Sequence, residues 1–142
     1  MSQRNCGAAV LLALIAFTGL LVASCSAPKE KIEASPELVQ AVAQVDEMIS
    51  IAVEEGGADK DFQFTLYNHI EALMNEVGKH DSPSHSTGVQ VKLDNIGKDL
   101  ATLIVDAGTL GYNPGPAVLE PLQEEWLPVK EDIEKIFTGF EE

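Results

Sequence analysis

Positive charge is scarce in this sequence. Its 142 residues hold 23 acidic and 9 basic side chains, a formal net charge of −14. A nucleic-acid-binding face needs basic side chains to displace counterions from phosphates, so this balance argues against one. Arginine occurs once, at Arg4. That shortage weakens any role built on bidentate recognition of phosphate or carboxylate. Cysteine occurs twice, at Cys6 and Cys25, and no Cys-x-x-Cys-His is present to attach haem covalently. His-Glu-x-x-His is missing as well. The residues three before His69, His80 and His85 are Leu66, Val77 and Ser82. The Glu-x-x-His of di-iron bundles is therefore absent. There is no Gly-x-Ser-x-Gly elbow and no Gly-rich phosphate loop followed by Lys-Ser/Thr. Period-two alternation, the strand signal, does not extend over any useful length.

Apolar residues are plentiful, at 45% of the chain, which argues against disorder. Part of that total is one block. Gly7 to Ala23 is an uncharged run of 17 residues that follows Arg4 and ends at Ser24-Cys25. A basic start, a short apolar stretch and small residues before a cut describe a secretory signal peptide over 1–24. The run lies at the low edge for a membrane span of roughly 17–25 residues.

Val22-Ala23-Ser24-Cys25 resembles the lipobox of bacterial lipoproteins: an aliphatic residue, two small residues and a cysteine. The resemblance covers the processing signal alone. It implies that the Cys25 thiol receives a diacylglycerol, that a peptidase cuts before it, and that the new amino group is open to acylation, as with palmitate. Two or three acyl chains anchor stably where one is marginal. Ser26 stands where the Gram-negative pattern has an aspartate for inner-membrane retention, so the resemblance favours the outer membrane if the organism has one. Cleavage leaves 118 of the 142 residues and, with Arg4 gone, a charge of −15. Cys6 is lost and Cys25 becomes a thioether. This excludes a disulfide, thiol catalysis, Cys-ligated zinc and iron–sulfur clusters.

Residues 25–35 read as the lipidated cysteine and a polar tether. Residues 36–142 then show four segments of helical periodicity. Ser35-Pro36-Glu37 offers an N-cap, a proline at the first helical position and an acid near the positive end of the dipole. Leu38, Val42, Val45, Ile49 and Ala52 follow at 4-3-4-3, up to Gly56-Gly57. Asp59 is the expected cap of the second helix, whose seam is Phe62, Leu66, Ile70, Leu73 and Val77, stopped at Gly78. The third seam is Val89, Leu93, Ile96, Leu100, Leu103, Ala107 and Leu110, closed by Gly111. It would hold Gly97 and Gly108 inside the helix, where small residues let a neighbour approach closely. The fourth is Leu119, Leu122, Trp126, Val129, Ile133, Ile136 and Phe140. Pro121 is expected in a first turn, and Pro128 should kink the helix. The fold expected is all-α: an antiparallel up-down-up-down four-helix bundle after a cleaved signal peptide, with shallow crossings.

Two constellations are candidate sites. Glu76, His80, Asp81 and His85 cluster around the longest polar connection and suit Zn²⁺, Cu²⁺ or Ni²⁺. His69 and Met48 flank core seams, from which a non-covalent haem pocket can be drawn. Adjacent acids such as Glu54/Glu55 and Glu124/Glu125 point about 100° apart on a helix and read as solvated faces rather than acid–base pairs. With no catalytic set assembled, the expectation is a non-enzymatic binding or interaction module with no cofactor. It would be lipid-anchored in the cell envelope, with its bundle facing the periplasm or exterior. A cationic protein or a small ligand is the expected partner class. The alternative is a metal- or haem-binding carrier or sensor.

Overall fold

The computed structural model describes residues 30–140. The signal segment, the lipobox with Cys25 and the first tether residues lie outside the described residues.

Four helices make up most of the described chain, and the fold is all-α in class: α1 (Pro36–Glu55), α2 (Phe62–Gly78), α3 (Thr87–Ala107) and α4 (Pro116–Ile136). The local signals explain most boundaries. Ser35 Oγ accepts the Leu38 N–H at 3.1 Å, and Pro36 fills the first helical position. Gly56 closes α1 at φ 75°, the left-handed conformation that favours glycine. Ser86 caps α3 by accepting the Val89 N–H at 3.3 Å.

Four boundary expectations shift. Asp59 does not cap α2; its Oδ1 accepts the Asp61 N–H at 3.0 Å, and the helix opens three residues later. This is an Asx turn, in which a short carboxylate bonds the backbone two residues on. α3 ends at Ala107, so Gly108 is its C-cap rather than an interior residue, and Leu110 lies half-buried beyond it. Pro121 is the sixth residue of α4, past the first turn. The helix runs through Pro121 and Pro128, both of which are exposed. Each lost backbone donor therefore faces water, which solvates the carbonyl freed four residues earlier. Finally, α4 stops before Phe140, which is half-buried.

The core follows the seams closely. Every seam residue between Leu38 and Ile136 is buried except Leu110, and Ala41 and Phe137 join them. Each large aliphatic side chain so buried contributes about 1.5–3 kcal/mol. α1 packs on α2 and α4, and α3 packs on the same two helices. Gly97 does not serve a close helix approach: a Cβ there would meet nothing within 4 Å.

Residues at the two extremes of the helices meet in two groups. At one end, β1 (Ile32–Glu33) pairs in parallel with β2 (Phe137–Thr138), in register Ile32 to Phe137 and Glu33 to Thr138. The Ala34 N–H adds a 3.0 Å bond to the Thr138 carbonyl. The last residues of the expected tether are thus paired with the segment after α4. At the other end the α1–α2 and α3–α4 connections approach each other, with Gly57 beside the Pro114 carbonyl.

One polar link crosses this core. The indole N–H of fully buried Trp126 on α4 donates to Asp46 Oδ1 on α1 at 2.9 Å. Lys130 Nζ lies 3.2 Å from the other oxygen of Asp46. A buried indole N–H needs an acceptor. Asp46, which the periodicity did not single out, supplies it.

Among the described residues, no helix is long and apolar enough to cross a membrane.

Candidate functional site

The candidate metal residues at the end of α2 and in the α2–α3 connection do not converge on one point. Glu76, on the last turns of α2, accepts a 2.8 Å bond from Lys79. That bond holds the Lys79 ammonium above its ordinary pKa. The His80 ring packs edge-on against Phe137, with centroids 5.0 Å apart and planes at 70°. His85 Nε2 donates to the His80 carbonyl at 2.9 Å. Gln90 reaches back from α3 to the His85 carbonyl at 2.7 Å. Asp81 is exposed, in a groove of about 360 Å³ between α2 and α3. Of these sequence neighbours, Glu76, His80 and His85 are engaged separately, and Asp81 lies exposed in the groove. Among the described residues, no group of three or more His, Cys, Asp or Glu side chains converges in a way that would hold a metal. Met48 packs against the hydrophobic core, and His69 on α2 is half-buried. Neither residue lines the α2–α3 groove or the two clefts described next.

Those two clefts flank the C-terminus of α3. The first, of about 460 Å³, lies between α2 and the α3–α4 connection. It is lined by Lys60, Gln63, Phe64, Tyr67, Gly108 and Tyr112. Phe64 is 71% exposed and Tyr112 76%. Gln63 builds this cleft: its Nε2 donates to the Gly108 carbonyl at 2.6 Å and its Oε1 accepts the Gly111 N–H at 3.0 Å. One side-chain amide thereby ties the segment carrying Tyr112 to the helix carrying Phe64 and Tyr67.

The second cleft, of about 220 Å³, lies between α3 and α4. Asp106 and Glu125 line it together with Leu110, Val118, Pro121 and Leu122. Partial burial pushes the Glu125 carboxyl up to about 7, assisted by its hydrogen bond to Asp106 and by the negative charge of Asp106 and Asp99. Two carboxyl groups can hydrogen-bond to each other only while a proton lies between them. In the unfolded chain Glu125 loses its proton near the usual glutamate value, while the folded protein keeps it to about 7. The folded state binds the extra proton between these values, so stability falls as pH rises through that window. Screening by water at this half-buried site holds the loss to about 1 kcal/mol. Glu125→Gln keeps the hydrogen bond without the charge. Melting temperatures from pH 4 to pH 8 are expected to fall less steeply for Glu125→Gln than for the wild type. Parallel curves would refute the shared proton.

Sequence reasoning missed both clefts. Phe64 and Tyr67 lie off the α2 seam, 45 or more residues before Tyr112, and nothing local joins them. Beside Glu124, which points about 100° away on a helix, Glu125 is expected on a solvated face. Its actual partner, Asp106, lies on another helix.

The described residues form an all-α fold of four helices with a ring-lined cleft and an acidic cleft beside the end of α3. Comparison of the chain with protein-family models, curated proteins and solved structures finds no match.

Proposed function

We propose that this protein is a lipid-anchored bacterial envelope protein whose antiparallel up-down-up-down bundle acts as a non-enzymatic binding module. The topology is supported by the short connections and by the two groups of residues meeting at the helix ends. Residues before α1 and after α4 share one end, where the His80 ring also touches Phe137. Gln63 at the start of α2 bonds Gly108 just past the end of α3. Antiparallel neighbours satisfy all of these contacts.

The observation that carries the binding reading is the cleft of Phe64, Tyr67 and Tyr112. Most large apolar side chains sit in the core, yet these three rings gather on one exposed concave surface. Aromatic groups held rigidly at a surface are favoured in recognition, because they offer a large contact area with little side-chain entropy to lose.

Two measurements test this reading. Cys25→Ser is expected to abolish palmitate labelling, accumulate precursor and release the protein from membranes. Continued lipidation would defeat the anchoring claim. A photo-crosslinking residue at Tyr112 is expected to trap a specific partner in whole cells, whereas one at Lys135 near the β2 end traps none. The absence of an adduct at Tyr112 would defeat the binding claim.

A further inference from the structure

Resting on the binding-module reading, we propose that the end of the bundle formed by the α1–α2 and α3–α4 connections docks a basic polypeptide segment, whose arginine or lysine side chains lie over Phe64, Tyr67 and Tyr112.

The rings supply half of the argument. Phe62, Trp126 and Phe137 are buried in the core, whereas Phe64 and Tyr112 keep about three quarters of their surface in water. An exposed aromatic face attracts a guanidinium or ammonium within about 6 Å through its quadrupole. Gln63 holds the two sides of the cleft together in advance, so little ordering is required when a partner arrives.

Charge supplies the other half. Lys60 is the only lysine among the described residues in or beside these two connections. The ion pairs of Lys79, Lys98, Lys130 and Lys135 lie on the helices away from them. Lys60 is the charged residue that lines the cleft, but Asp59 and Asp61 flank it in sequence, Glu54 and Glu55 end α1, and Asp106 lies two residues before cleft-lining Gly108 and lines the neighbouring cleft. None of these takes part in those ion pairs. The C-terminus of α3 adds its own partial negative charge. A second copy of this chain would bring like charge, and after cleavage it has no arginine to offer. An anionic lipid surface would be repelled in the same way. A basic segment complements both the rings and the acids.

The test uses the full-length protein in detergent micelles and a fluorescent 16-residue peptide of alternating arginine and glycine. Its glutamine-for-arginine counterpart is the uncharged probe. The arginine peptide is expected to bind, and Phe64→Ala/Tyr112→Ala to weaken it roughly tenfold. Both side chains are largely exposed, so the double variant keeps its core. Glu131→Gln/Asp132→Asn, near the β2 end, is expected to leave binding unchanged. Equal binding of the glutamine peptide would overturn the proposal, as would full retention in the ring variant or equal loss in the Glu131/Asp132 variant. If crosslinks at Tyr112 persist while the arginine peptide fails to bind, the partner class is wrong and the binding-module reading survives. If the crosslinks are absent too, both fall.

Discussion

Trp126→Ala is expected to cost about 3–5 kcal/mol, the range for deleting a large buried aromatic side chain. Single domains hold only about 5–15 kcal/mol in total, so most of the stability is at risk. The side chain is fully buried, and its indole N–H spans from α4 to Asp46 on α1. Its removal leaves a cavity between two helices and an acceptor without its donor. Trp126→Phe refills much of the volume and loses the hydrogen bond, and the expected cost falls to about 1–2 kcal/mol. The check is urea denaturation followed by circular dichroism, because Trp126 is the sole tryptophan and its own fluorescence disappears in the variants. A cost below about 1 kcal/mol for Trp126→Ala would mean that the α1–α4 interface does not depend on this side chain.

Asp46→Ala is expected to have the next largest effect, about 1–3 kcal/mol. The reason is asymmetric. The variant removes the acceptor of the indole N–H of a fully buried tryptophan and also frees Lys130. Asp46→Asn keeps an oxygen for the indole and is expected to cost less. Lys130→Met removes only a half-exposed ion pair, worth about 0–1 kcal/mol. Melting temperatures are therefore expected to fall most in Asp46→Ala, less in Asp46→Asn and least in Lys130→Met. If Lys130→Met equalled Asp46→Ala, the ion pair rather than the indole bond would hold α1 to α4.

Much of the fold was legible because helices are local. The pattern Leu38, Val42, Val45, Ile49, Ala52 repeats at the period of one helix face, and the residues that seal it, Ser35 and Gly56, adjoin it in sequence. Seams of the same period lie buried in α2, in α3 as far as Ala107 and in α4 as far as Ile136. The expectations that shifted lie at helix ends, where a turn competes with the helix for the same backbone groups. Asp59 formed an Asx turn instead of a cap, and α3 gave way at Gly108. Pro128 was legible as an interior proline. Its placement on the solvent face, which explains why α4 runs through it, follows from the seam in hindsight: Trp126 and Val129 face inward and Pro128 between them does not.

The sites were far less legible. Glu76, His80, Asp81 and His85 are close in sequence, yet Glu76, His80 and His85 have different partners in space and Asp81 lies exposed. Proximity along a chain says little about convergence where a helix ends and the backbone turns. The four amphipathic segments and the acidic balance were settled by the sequence alone, because each is a property of neighbouring residues or of a sum. Tertiary structure alone joined Ile32 to Phe137, Trp126 to Asp46, Asp106 to Glu125, and Phe64 and Tyr67 to Tyr112. Those pairings depend on how each helix is rotated about its axis and on which ends meet. A one-dimensional periodicity specifies the buried stripe but does not specify what stands opposite it.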